Sequence, residues 1–175
     1  MVSSAPVNLL LRPGITNPGL WWPERPARGQ WNKIRKGVLE RDSYTCQGCG
    51  HRALLHMNIH HLTESGQNNP DNLATLCVAC HAVLHVGMNL KLGVVEIWKS
   101  GLSQVDIVRK TREGVKKGRS LAQIKRGLKL KRGRYSPRSI RYANDLVLSI
   151  GDESRAYLKE PLCAVFVKLK RWQLE

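Results

Sequence analysis

The chain has 175 residues, 42% of them hydrophobic, and sets 29 lysines and arginines against 13 acids for a formal charge of +16. That length allows one domain, or a small domain with extensions, around a modest core. The charge points to polyanions as partners, nucleic acid ahead of an anionic membrane surface. No run approaches the ~18 apolar residues of a membrane span. The opening MVSSAPVNLLLRPG has neither a basic leader nor a long apolar stretch, so the expectation is a cytoplasmic protein in a reducing compartment. Four of the five cysteines fall in Cys-x-x-Cys pairs, which in such a chain fits metal better than disulfides.

Residues 1–30 hold five prolines and three glycines, a density that forbids a long helix or a central strand and reads as an extended arm. Trp21 and Trp22 within it are expected to lie against the folded core. From Trp31 the spacing of Ile34, Val38 and Leu39 marks one face of a helix ending near Asp42. Leu54–Leu62 alternates as a strand with His60-His61 at its end, TESGQNNPDN is turn chemistry, and Leu73–Leu76 is a second short strand. Val78 to about Met88 reads as a helix. Beyond Leu90 the expectation is helical throughout. One helix spans Val94–Gly101, a second opens at Ser103 and ends before Gly114, and a third is capped by Ser120. A fourth covers 137–149 after Ser136-Pro137, and a last starts at Pro161.

Cys46, Cys49, Cys77 and Cys80 can supply four thiolates to one tetrahedral zinc, with Gly48 and Gly50 easing the first turn. The 27 residues between the pairs exceed the roughly 15–20 of a plain zinc ribbon. The extra length is the histidine-bearing hairpin. The competing reading, a redox Cys-x-x-Cys, lacks a thioredoxin-like background. Cys163, alone on an apolar face, reads as a core residue, and His51 and His56 as surface or supporting side chains.

His81 and His85 lie four apart, on one face of a helix. With His60 they could hold a divalent ion that keeps positions open for a phosphate oxygen and a leaving oxygen. His61, off the metal, would take a proton from water, since an ordinary imidazole titrates near neutral pH. Asn72 would bond across the loop and orient His61. Adjacent strand residues point to opposite faces, so the strand must twist or end at His60-His61 for both to serve one phosphate.

The run WNKIRKGVLERDSYTCQGCG, then IHHL, then DNLATLCVACHAVLH resembles the HNH endonucleases of the ββα-metal superfamily. The family's first His falls on His61, its Asn on Asn72, its last His on His81, and its knuckle cysteines on the four above. The resemblance implies an α+β protein with a hairpin-plus-helix core stapled by zinc. It also implies a single catalytic divalent metal (Mg²⁺, Mn²⁺ or Ni²⁺) and hydrolysis of double-stranded DNA to 5′-phosphate and 3′-hydroxyl ends. Where many members have Asp before the base histidine this chain has His60, closer to the colicin-type DNases, and imidazole favours transition ions over Mg²⁺.

Between Ile107 and Tyr142 Glu113 is the single acid. The cations proposed to grip DNA are Arg109, Lys110, Lys116, Lys117, Arg119, Lys125, Arg126, Lys129, Lys131, Arg132, Arg134, Arg138 and Arg141. GLSQVDIVRKT and RSLAQIKRGLKL resemble the two helices of a helix-turn-helix, but REGVKKG between them is longer than its usual turn of about 3–4 residues. The expected organisation is a Pro-rich arm (1–30), a nuclease domain (31–90) and a basic helical DNA-binding region (91–175), with a homodimer needed only for cutting both strands. The rival expectation is a zinc-stabilised nucleic-acid-binding protein that does not cut.

Overall fold

The structure is a computed structural model that describes residues 6–11, 26–63, 68–131 and 162–168. Trp21, Trp22, the expected helix 137–149 and the cations Arg132, Arg134, Arg138 and Arg141 lie outside them. The architecture is α+β. Helix α1 (Arg28–Arg41) leads into a loop carrying the first cysteine pair, then β1 (Asn58–His61), a 3₁₀ turn (Pro70–Asn72), β2 (Leu73–Leu76), α2 (Val78–Leu84) and α3 (Val86–Lys91). Strand β3 (Val95–Lys99), helices α4 (Gln104–Lys116) and α5 (Leu121–Gly127), and β4 (Leu162–Phe166) follow. The strands make two antiparallel pairs, β1 with β2 and β3 with β4.

α1 ends at Asp42, and the reason is visible in its side chains. Arg41 binds the Asp42 carboxylate at 2.8 Å and the Pro70 and Leu73 carbonyls at 2.8 and 2.6 Å. Asp42 in turn accepts the Thr75 backbone N–H at 2.8 Å. This network fastens α1 to β2. Burial alone would raise the Asp42 pKa, but the bonds from Arg41 and Thr75 outweigh it and hold the carboxyl below its ordinary value. The depressed pKa contributes stability that is present above the unfolded value near ~3.9 and lost as pH falls through the folded one. Asp42→Ala strands a buried N–H and uncouples Arg41, and is expected to cost about 3 kcal/mol in denaturant melts. The stability gap between wild type and Asp42→Asn should narrow as the buffer is acidified below about pH 4.

Two expected helices are strands. Val95↔Phe166 through Lys99↔Leu162 form a regular ladder, so the segments assigned to a helix before Gly101 and to one from Pro161 pair instead as β3 and β4. Both are short apolar runs rich in β-branched and aromatic side chains, for which periodicity does not separate helix from strand. Each needs a partner more than sixty residues away. Cys163 accordingly sits in a strand, buried, its thiol donating to the Trp98 carbonyl at 3.3 Å. Burial pushes that thiol up to about 12.

The expected helix through Met88 is broken at His85 (φ −104°, ψ 43°), where α2 passes into α3. The buried Asn89 amide holds the break by donating to the Ala82 and His85 carbonyls at 3.1 and 2.9 Å. α4 runs through Gly114 to Lys116, leaving four residues before α5 and so a connection of helix-turn-helix length. Ser103 and Ser120 cap the two helices as expected, Ser120 in a capping box with Gln123. The two helices touch at Gly114, where a Cβ would lie 2.5 Å from Ile124 Cγ1. Gly114→Ala is therefore expected to force the helices apart at a cost of about 1–3 kcal/mol, seen as a lower melting temperature.

One buried cluster joins Leu9, Leu11, Leu39, Met57, Leu76, Val83 and the four knuckle cysteines to Val95, Ile97, Val108 and Phe166. The N-terminal residues 6–11 and the second sheet thus share the core of the first. A smaller cluster of Ile107, Ile124, Leu128, Cys163 and Val165 lies under α4 and α5.

Candidate functional site: two ligand clusters on one helix

The first cysteine pair sits in a tight loop. The Cys46 N–H donates to the His51 carbonyl at 2.7 Å, Gly50 N–H to the Cys46 carbonyl at 2.8 Å, and Gln47 N–H to the Thr75 carbonyl at 2.8 Å, which docks the loop on β2. Gly48 is closely covered, since a Cβ there would lie 2.9 Å from Leu9 Cδ2 and 3.2 Å from Cys80 Sγ, and a side chain would require both to shift. The second pair opens α2, with Cys77 as its N-cap and Cys80 in its first turn, the Cys80 N–H reaching Cys77 Sγ at 3.5 Å. All four sulfurs are buried and lie within 4.8 Å of one another.

Their protons are shared unequally. Hydrogen bonds from Cys49, Cys77 and Cys80 pull Cys46 below the ordinary thiol range, and the same contacts push Cys77 and Cys80 above it. Four thiolates cannot coexist there without a cation, and a thiophilic ion accepting four sulfurs would relieve that conflict. The donor set fits one.

The second cluster lies one residue further along α2. His60, His81 and His85 each bring a ring nitrogen within 4.8 Å of the others. Their ring centroids are 5.6 Å (His60 to His81), 5.1 Å (His60 to His85) and 4.3 Å (His81 to His85) apart. Burial pushes the His81 imidazole down to about 4. Burial, and then the charges of His81, His60 and His61, push His85 to about 2. Both are neutral at neutral pH, with lone pairs available to a cation, so this donor set also fits a divalent ion. Among the described residues no carboxylate belongs to the cluster.

His61 turns the other way. Its ring lies nearly parallel to that of Trp31 on α1, with centroids 6.2 Å apart and planes at 11°, and its Nε2 is 3.1 Å from Asn68 Oδ1. Asn72 works across the loop. Its Oδ1 accepts the Thr63 N–H and hydroxyl at 3.0 and 2.8 Å, and its carbonyl accepts the Leu62 N–H at 2.8 Å. The loop following His61 is thereby stapled at its base, and the ring itself meets Asn68. The contacts of Trp31, Asn68 and Asn89 were not readable from the sequence, because each is tertiary. The Asn-rich loop was the only local signal.

Among the expected DNA-binding cations the structure separates two kinds. Arg109 donates through Nε to the Cys49 carbonyl at 3.0 Å, so it holds the knuckle loop. Lys125 pairs with the Glu96 carboxylate and lies 4.4 Å over the Trp98 ring. Lys117 pairs with Glu113 on the exposed surface. Lys110, Lys116, Arg119, Arg126, Lys129 and Lys131 are exposed. Lys110, Lys117 and Arg119 line a cleft of about 170 Å³ between α4 and α5.

Residues 46–87 match the family model described as HNH endonuclease. The chain is similar to a protein named type 4 apparatus protein DotN from Legionella pneumophila, 31% identical over 99 residues, covering 53% of this chain and 46% of that one. It is also similar to a probable HNH endonuclease of Lactococcus phage SK1, 34% identical over 61 residues, covering 30% of this chain and 65% of that one. The chain thus spans less than two thirds of the length of either relative. Both ligand clusters, Cys46, Cys49, Cys77 and Cys80 and His60, His81 and His85, fall inside residues 46–87, the stretch that matches the HNH endonuclease family model.

Proposed function

We propose that the protein is a metal-dependent DNA endonuclease whose four cysteines hold a structural zinc. The observation that carries this reading is the convergence of His60, His81 and His85 beside a separately held His61, in a stretch that matches the HNH family. A divalent ion on those three imidazoles would supply Lewis-acid charge next to the phosphate. The chain's own part is proton transfer and placement. His61 takes a proton from water. The water oxygen bonds to phosphorus, the bond to the 3′-oxygen breaks, and that oxygen leaves with the electron pair and is protonated from solvent. The products carry 5′-phosphate and 3′-hydroxyl ends. Asn72 keeps the loop after His61 closed while this occurs.

The exposed cations of α4 and α5 would bind phosphates without reading sequence, so affinity for a duplex should fall steeply between about 50 and 200 mM salt. Fluorescence anisotropy on a labelled duplex checks this, and a salt-independent affinity would contradict it. For activity, supercoiled plasmid is incubated with protein and Mg²⁺, Mn²⁺ or Ni²⁺, beside chelated samples. The expected result is nicking with at least one ion and none with chelator.

A second reading is favoured by one observation: the match to the protein named as a type 4 apparatus component covers more of this chain than the match to the phage endonuclease. On that reading the zinc-stabilised fold binds a partner or nucleic acid and does not cut. Binding without nicking under every metal would select it.

A further inference from the structure

We infer that Trp31 and Asn68 are positioning residues that fix the His61 imidazole in one plane and one tautomer, leaving Nδ1 as the nitrogen that accepts the proton. The inference rests on the reading of His61 as the base.

His60 and His61 are neighbours on β1, paired with Ala74 and Leu73 of β2, and their side chains diverge. His60 joins the ligand cluster, where two further rings confine it. His61 lies outside that cluster. It is held instead by two contacts of different kinds. The Trp31 ring, nearly parallel to it, limits rotation out of the plane. The Asn68 carbonyl oxygen, 3.1 Å from Nε2, limits rotation within the plane. An amide oxygen can only accept, so Nε2 must carry the proton and Nδ1 the lone pair.

Both contacts are anchored. Trp31 lies on α1, on the side that continues into Ile34 and Val38, yet among the described residues it belongs to neither buried apolar cluster. Its ring is spent on the histidine rather than on the core. Asn68 directly precedes Asn69, whose side chain accepts the Asp71 N–H at 3.1 Å and caps the 3₁₀ turn. That turn ends at Asn72, which staples the loop to Thr63. The distance from Asn68 to His61 is therefore set by a closed frame. A base whose orientation is fixed before substrate arrives needs no reordering in the transition state.

The test uses the full chain loaded with both metals. Steady-state cleavage of a defined duplex is measured for wild type, His61→Ala, Trp31→Ala, Trp31→Phe, Asn68→Leu and Asn68→Asp, with zinc content and melting temperature recorded for each. Trp31→Ala and Asn68→Leu should each lower kcat about 10- to 100-fold with KM little changed. Trp31→Phe, which keeps a flat ring, and Asn68→Asp, which keeps an acceptor, should recover most of it. Nitrogen-15 spectra of the ring should show His61 protonated at Nε2 in wild type and in mixed tautomers in Asn68→Leu. Where a variant melts early, the tautomer of the residual folded protein still decides.

Wild-type protein with His61 protonated at Nδ1 overturns the inference. A raised KM with unchanged kcat in Trp31→Ala also overturns it, assigning Trp31 to substrate contact. If His61→Ala cuts at the wild-type rate, the base assignment itself fails. If His61→Ala is inactive while the Trp31 and Asn68 variants are fully active, the positioning inference alone fails.

Discussion

Serine at Cys46 and Cys80 together is expected to remove the metal that the four thiolates are proposed to hold, and with it the cooperative fold of the core. The four sulfurs lie within 4.8 Å of one another and are buried, in the same cluster as Leu39, Val83, Val95 and Phe166. Structural zinc in small domains contributes an apparent ~10–16 kcal/mol at neutral pH. That is as large as the whole stability of a typical domain, about 5–15 kcal/mol. Serine oxygen replaces only part of the lost coordination. Metal analysis should show zinc that survives mild chelation in the wild type and is gone in the double variant, together with loss of a cooperative melt. Unchanged zinc content would overturn the four-thiolate site.

His61→Ala is expected to lower the cleavage rate by about 10²–10⁴-fold, the range of a general base. Zinc content should stay as in the wild type, because the ring points away from both ligand clusters, toward Trp31 and Asn68. Duplex affinity should also hold, since the exposed cations lie on α4, α5 and beyond. Plasmid nicking and anisotropy on the same preparations separate the two effects. A variant that binds and cuts as the wild type does would remove His61 from the chemistry.

Much of the site was legible because its signals are local. Cys-x-x-Cys spacing, turn-forming residues between two short apolar runs, and an i, i+4 histidine pair each constrain a few consecutive residues, and the structure brings together the ligand sets they indicate. The serine caps at Ser103 and Ser120 are local in the same sense. The losses are where the deciding partner is remote. β3 and β4 satisfy each other's backbone across more than sixty residues, and neither segment alone distinguishes a strand from a short apolar helix. α4 passes through Gly114 because Ile124 fills the space a side chain would need, which turns an apparent helix terminator into a packing residue. Arg109 and Lys125, which read as cations for DNA, also meet a knuckle carbonyl, a carboxylate and an indole face, contacts that only the tertiary structure shows. The break at His85 depends on Asn89, and its amide bonds form only once the chain has turned.

The two clusters meet at Cys80-His81. Cys80 faces the sulfurs from the first turn of α2 while His81, the next residue, faces His60 and His85. A metal drawn onto the thiolates would fix the start of α2 against the first knuckle, and so fix His81 and His85 against β1. Such an ion would make the imidazole site rather than merely neighbour it. The most direct test is plasmid cleavage by protein stripped of all metal, then given Mn²⁺ or Ni²⁺ alone or together with one equivalent of zinc. Cutting is expected only when zinc is also restored; full-rate cutting by the zinc-free protein with the second ion alone would show that the imidazole site forms without the thiolate-bound metal.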